Sequence, residues 1–153
     1  MSDAQTPARP ADALRVLYVE DQPFMRDMAA DYLRGIGHAV DTACDGIEGW
    51  QKFSQAVYDL VITDLEMPNL DGIGLIRRLR ESRQPVRIIV HSSALNSFNL
   101  TVLRDLSVQA VLLKGVPAET LRGTIEQVAR MPASLPPPTP AAAPATRVSP
   151  DPQ

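Results

Sequence analysis

Apolar residues in this chain cluster in short dense runs, separated by longer stretches in which they recur every three or four positions. Arg15-Val-Leu-Tyr-Val19 is an apolar run that ends in two acids, as expected of a strand buried on both faces. Pro23 can open a helix, since the first helical position has no use for its missing N–H, and Gly35 and Gly37 can close it. His38 to Ala43 predicts a second, weaker strand. Asp45-Gly-Ile-Glu48 reads as a capping box for a helix reaching Gln55. Tyr58-Asp-Leu-Val-Ile-Thr63 predicts another buried strand, again followed by an acid. Asp71 can cap a helix whose Ile73, Leu75, Ile76 and Leu79 share one face. Val86 to Val90 predicts a fourth strand, Leu100, Val102 and Leu103 belong to a helix whose start is left open, Ala110 to Leu113 is the fifth strand, and Pro117 to Arg130 the last helix. Five strands alternating with five helices predict an α/β fold, a parallel sheet with helices on both faces.

Composition sets the limits of that fold. The chain has 153 residues, 44% of them hydrophobic and 22% charged, which is the balance of a globular domain with one core. Residues 1–13 are rich in Ala, Pro, Asp and Ser and read as a disordered lead-in. From Met131 on, Pro132, Pro136, Pro137, Pro138, Pro140, Pro144, Pro150 and Pro152 fall among Ala, Ser and Thr. This Pro/Ala-rich stretch, 131–153, has little to bury and reads as a disordered tail or linker. The folded domain is then 14–130. A formal net charge of −3 argues against a nucleic-acid surface. No apolar run approaches the roughly 18 residues of a membrane span, and the N-terminus lacks the apolar stretch of a secretory signal. Cys44 is alone, so neither an internal disulfide nor a cysteine metal cluster is expected. These features fit a cytoplasmic protein.

In an open parallel sheet the working site lies beyond the carboxyl ends of the strands, where strand order reverses. The side chains placed there are Glu20 and Asp21 after the first strand, Asp64 after the third, Ser92 and Ser93 after the fourth, and Lys114 after the fifth. Two carboxylates about 4 Å apart repel by roughly 4 kcal/mol at an effective dielectric near 20, so such a cluster should hold protons or bind a cation. Three hard-oxygen acids without His or Cys point to Mg²⁺. Lys114 can meet a phosphoryl oxygen and Ser92 can donate to another. A nucleophilic carboxylate, a metal site, an amine and a hydroxyl make up the apparatus of phosphoryl transfer.

Val19-Glu-Asp21, the run Asp64-Leu-Glu-Met-Pro-Asn-Leu-Asp-Gly72, Ser92 and Lys114 together resemble the receiver domain of two-component response regulators, over essentially the whole folded region. The resemblance implies a flavodoxin-like, doubly wound five-stranded sheet. It implies that Asp64 is the phosphoacceptor. Asp21 and Asp64 would then bind Mg²⁺ directly, with the backbone carbonyl of Glu66 as a further ligand and Glu20 acting through water. Ser92 would be the switch hydroxyl and Lys114 the phosphoryl-contacting lysine. The implied donor is a sensor histidine kinase or a histidine phosphotransfer protein. The chain would be a signalling switch and not a turnover enzyme. Its output would run through an unknown downstream protein, through phosphorylation-dependent homodimerisation or through a relay, without direct contact to nucleic acid or membrane.

Two positions depart from the family pattern. Gly115 follows Lys114 where the family has Pro, and Val111 stands where an aromatic residue is common, three positions before the lysine. Glu66 borders the expected path of an attacking water. Competing readings are a phosphorylation-silent receiver-like module, an N-terminal fragment of a larger regulator or hybrid protein, and an aspartate-based phosphatase. The last expects an Asp two residues after the nucleophile, where this chain has Glu66.

Overall fold

The computed structural model describes residues 13–133. The expected lead-in and most of the expected tail lie outside the described residues. Elements alternate without exception: β1 (Arg15–Val19), α1 (Pro23–Gly35), β2 (Ala39–Ala43), α2 (Gly46–Gln55), β3 (Leu60–Thr63), α3 (Gly72–Glu81), β4 (Arg87–Ser92), α4 (Ser97–Asp105), β5 (Ala110–Leu113) and α5 (Ala118–Ala129). All strand pairs are parallel and the order is β2-β1-β3-β4-β5, so strand order reverses between β1 and β3. This is the flavodoxin-like arrangement.

Side-chain alternation along the strands divides the core in two. Leu17, Val19, Val61, Ile88 and Val90 pack with Leu75, Leu79 and Leu103, on the α2, α3 and α4 face. Val16, Tyr18, Leu60, Ile62 and Ile89 pack with Leu33, Leu121 and Ile125, on the α1 and α5 face. The central β3 is buried at all four positions, whereas none of the four β5 residues is fully buried. β5 is an edge strand, and this accounts for its mixed burial.

Local chemistry fixes the helix starts. Asp45 accepts from Glu48 N at 2.8 Å, while the Glu48 side chain accepts from Cys44 N at 2.7 Å, a box closed one residue earlier than the usual form. Asp71 accepts from Gly74 N and caps α3. Asn96 accepts from Asn99 N and sets the start of α4 that the sequence left open. Met131 and Pro132, assigned by composition to the tail, are tied back to the sheet: Arg87 Nε donates to Met131 O at 2.7 Å and Gln109 Nε2 to Pro132 O at 3.3 Å. Among the described residues no helix is long and apolar enough to cross a membrane.

Candidate functional site

Strand register decides which side chains meet. Val19 pairs with Thr63, so the next residues, Glu20 and Asp64, leave adjacent strands side by side, and Asp64 N donates to Val19 O at 3.1 Å. Ser92 pairs with Leu113, which puts Lys114 just beyond it, and Lys114 N donates to Ser92 O at 3.0 Å. The four strand-end positions therefore converge at one edge, as expected.

Glu20, Asp21 and Asp64 each place a carboxylate oxygen within 4.8 Å of the others. Glu20 and Asp64 are buried, at 1% and 6% exposure, and Asp21 is half-buried. Asp21 is not consumed as a helix cap: Gln22 holds the N-cap position of α1, and its side chain makes no capping bond. Asp64 Oδ1 accepts from Leu65 N at 2.6 Å, and Asp64 Oδ2 accepts from Lys114 Nζ at 2.7 Å. Glu20 Oε2 accepts from Gln22 N at 3.0 Å. Glu20 Oε1 lies 2.5 Å from Lys114 Nζ as an ion pair, yet this buried oxygen has no hydrogen bond of good geometry.

The crowding of acids is thus met in two ways. Lys114 bridges Glu20 and Asp64. Burial also raises the Glu20 pKa, an effect that the bonds from Lys114 and Gln22 only partly oppose. For Lys114 burial acts downward, but its bonds to Asp64 and Glu20 outweigh it and the net shift is upward. The amine stays charged.

The donor set fits Mg²⁺. It consists of hard oxygens from three carboxylates, close enough to share one small ion. Glu66 is exposed, two residues past Asp64, in the loop joining β3 to α3. Of the two serines, Ser92 is fully buried and its Oγ accepts from Ala94 N at 3.1 Å, while Ser93 is exposed. Accepting that bond uses an oxygen lone pair and keeps the O–H as a donor.

Several supporting residues escaped the sequence reading. Arg26 Nη1 donates to the Glu20 carbonyl at 2.9 Å. Gly72 packs so closely that a Cβ there would lie 2.1 Å from the Asp64 carbonyl oxygen. Asn69 Nδ2 donates to Asp45 Oδ2 at 2.6 Å, and Gly46 N donates to Leu70 O at 3.0 Å, which clasps the β3–α3 loop to the start of α2. His91 Nδ1 and the Tyr18 hydroxyl are 2.9 Å apart. These contacts join residues six to 73 positions apart.

Residues 16–126 match the response regulator receiver domain, and the chain belongs to that family. It is 36% identical over 131 residues to a gliding motility regulatory protein of Myxococcus xanthus, covering 84% of this chain and 17% of that protein. It is 39% identical over 85 residues to the sensor protein EvgS of Escherichia coli, covering 56% of this chain and 7% of EvgS. The chain thus spans less than a fifth of the length of these two relatives. Among solved structures, the response regulator TrrA of Thermotoga maritima, in complex with Mg²⁺ and beryllium fluoride, is similar with a TM-score of 0.67 at 28% identity, covering 74% of this chain and 97% of TrrA. The chemotaxis protein CheY4 of Vibrio cholerae gives a TM-score of 0.71 at 28% identity, with the same coverage.

Proposed function

We propose that this receiver domain is a phosphorylation-dependent switch in which Asp64 accepts a phosphoryl group from the phosphohistidine of a sensor histidine kinase or histidine phosphotransfer protein. The observation that carries the reading is the Asp64 carboxylate itself, buried, gripped by Leu65 N–H and Lys114, and within 4.8 Å of two further acids. An Asp64 oxygen attacks phosphorus, the P–N bond to the donor imidazole breaks, and the imidazole leaves with the electron pair. Asp21 and Asp64 would hold Mg²⁺, with the Glu66 carbonyl as a further ligand and Glu20 reaching it through water; the ion would supply positive charge against the phosphoryl oxygens. Lys114, already 2.7 Å from Asp64, is placed to follow the charge onto the new phosphoryl oxygens. Ser92 would turn its O–H toward the phosphoryl group, and this state-dependent contact is what shifts the population.

Output would run by protein contact, for which exposed Phe98 and Leu100 on α4 and Leu113 at the end of β5 offer apolar surface. Val111 is half-buried against the α2–α4 core, with no ring to rotate, so the output signal would pass through the backbone of β5 and α4. The reading is that of a signalling domain, not a turnover enzyme.

The test is incubation with acetyl phosphate and Mg²⁺. The expected product is an acid-stable, base-labile adduct that is lost in Asp64→Ala and on chelation of Mg²⁺. An adduct that survives Asp64→Ala would remove Asp64 from its role, and steady hydrolysis of phosphate monoesters would favour a phosphatase.

A further inference from the structure

The turn from β1 into α1 carries Glu20 and Asp21, and the two acids are held in opposite ways. Glu20 is tied at every polar group. Its N–H donates to Ala43 O at 3.0 Å, its carbonyl accepts from Arg26 Nη1 at 2.9 Å, and its carboxylate meets Gln22 N–H and Lys114 Nζ. Asp21, read above as a direct Mg²⁺ ligand, has no such tie: among the described residues nothing hydrogen-bonds or ion-pairs to its carboxylate.

What aims Asp21 is therefore the backbone on either side of it. A peptide unit is planar, so holding the carbonyl of one residue also orients the N–H and Cα of the next. The unit before Asp21 contains the Glu20 carbonyl, which Arg26 holds. The unit after it contains Gln22 N–H, which Glu20 Oε2 holds at 3.0 Å. With both flanking planes pinned, the Asp21 carboxylate is delivered within 4.8 Å of those of Glu20 and Asp64. One of the two clamps comes from the acid cluster itself, and the other comes from Arg26, which stands outside it. Arg26 also sits against local preference. It is the fourth residue of α1, and its own N–H donates to Gln22 O, in the turn where the helix dipole favours an acid over a cation. Such a break with a local rule beside a site is where a functional gain is expected.

We propose that Arg26 is a positioning residue for the metal site, holding the Glu20 carbonyl so that the Asp21 carboxylate points at Mg²⁺. This rests on the reading of Asp21 as a ligand of that ion. Arg26 is not itself a ligand, and its charge opposes a nearby cation. Its two effects on Mg²⁺ binding therefore differ in sign: orientation of Asp21 strengthens it, and repulsion weakens it. Groups that orient a metal ligand are typically worth about 10–100-fold in metal affinity. Repulsion from a half-exposed guanidinium is screened by water and salt, so orientation outweighs it.

The test titrates the full ¹⁵N-labelled chain with MgCl₂ at constant ionic strength and reads Kd from the Asp64 and Leu65 amide shifts. Arg26→Met is expected to raise the Mg²⁺ Kd about tenfold. Arg26→Gln, whose side chain stops short of the Nη1 position, should do the same and serves if the first variant loses its dispersed spectrum. In an Asp21→Asn chain, adding Arg26→Met should change Kd by less than about twofold, because the carboxylate that Arg26 aims is gone. Val128→Ala, buried near the far end of α5, lowers stability without touching this turn and should keep the parent Kd. An unchanged or lower Kd in both Arg26 variants, a full tenfold rise repeated in the Asp21→Asn chain, or an equal rise in Val128→Ala would overturn the proposal. A parent chain without saturable Mg²⁺ shifts would overturn it together with the metal reading. A parent that binds Mg²⁺ beside Arg26 variants of equal affinity would remove the positioning role alone and leave the function proposed for Asp64 standing.

Discussion

The corner after β3 and the corner after β5 both deliver charge to one cluster, Asp64 from the first and Lys114 from the second. Asp64 leaves a strand buried at every position and enters a loop clamped from two sides. Gly72 presses its backbone against the Asp64 carbonyl, and the Asn69–Asp45 and Gly46–Leu70 bonds tie the loop to α2. Lys114 leaves an edge strand with no fully buried residue, and its neighbour Gly115 sits at φ +98° in open space. Pro117, at the N-cap of α5, makes no capping bond. Asp64 is fixed by its surroundings; Lys114 is held mainly by the acids it touches. The backbone therefore constrains the Asp64 corner more tightly than the Lys114 corner.

The steepest test of this contrast is Gly72→Ala. The added Cβ would meet three backbone atoms between 2.1 and 2.9 Å away, none of which can yield as a flexible side chain would. A loss of about 3 kcal/mol or more is expected in urea denaturation, at the upper end of overpacking costs. A loss near zero would mean that the β3 corner is as loose as the β5 corner.

Next comes Lys114→Met without Mg²⁺, expected to cost about 2 kcal/mol at neutral pH because two buried acids lose their shared cation. Its pH dependence sharpens the point. Burial raises the Glu20 pKa above its ordinary 4.5. An acid with a raised folded pKa binds its proton more tightly when folded, so the stability it provides is full below 4.5 and drains away as pH climbs through the folded value. Removing Lys114 removes a lowering influence and pushes that value further up. The variant should therefore lose more stability than the parent between pH 4.5 and pH 7.5, and parallel urea curves would contradict this.

Gly115→Ala is expected to cost only about 1 kcal/mol, from the left-handed backbone and not from any clash. The same conformation lies out of reach of a proline, whose φ is locked near −65°. The departure from the family pattern at this position is thus built into the backbone.

The smallest effect belongs to a residue remote from both corners. His38 Nδ1 accepts from Leu14 N at 3.0 Å, and its pKa is lowered by burial and then by Arg122, with Glu126 opposing. A histidine with a depressed folded pKa contributes stability that is present above 6.5 and is lost as pH falls through the folded value. His38→Gln should slightly reduce the loss of stability between pH 7 and pH 5, read from the same denaturation curves. A change as large as that of Lys114→Met would blur the line drawn around the site.

Most of what could be read in advance was local in the chain. Apolar runs marked every strand but the second, weaker one, and the polar side chains that follow β1, β3, β4 and β5 marked the site, because in a parallel sheet every strand ends at the same edge. Asp45 and Asp71 announced their helices by their spacing. Ser92 and Ser93 both follow the fourth strand, and burial separates them. The edge position of β5 was hidden, because Ala110 to Leu113 is as apolar as an interior strand. The Arg26 contact to Glu20, the Tyr18–His91 pair and the clasp on the β3–α3 loop all join separate elements, and no local pattern reports them.

Arg80, near the end of α3, is 4% exposed and donates through three nitrogens: Nε to Leu106 O, Nη1 to Val86 O and Nη2 to Ser107 O, all at 2.8–2.9 Å. Burial lowers its pKa to about 10, so it remains a cation at neutral pH. One rigid fork therefore rivets the end of α3, the entry to β4 and the turn after α4. A lysine could not span these acceptors. The segment between Val86 and Ser107 should consequently open as one cooperative unit in amide hydrogen exchange, since freeing any one of these turns first means tearing out a buried guanidinium.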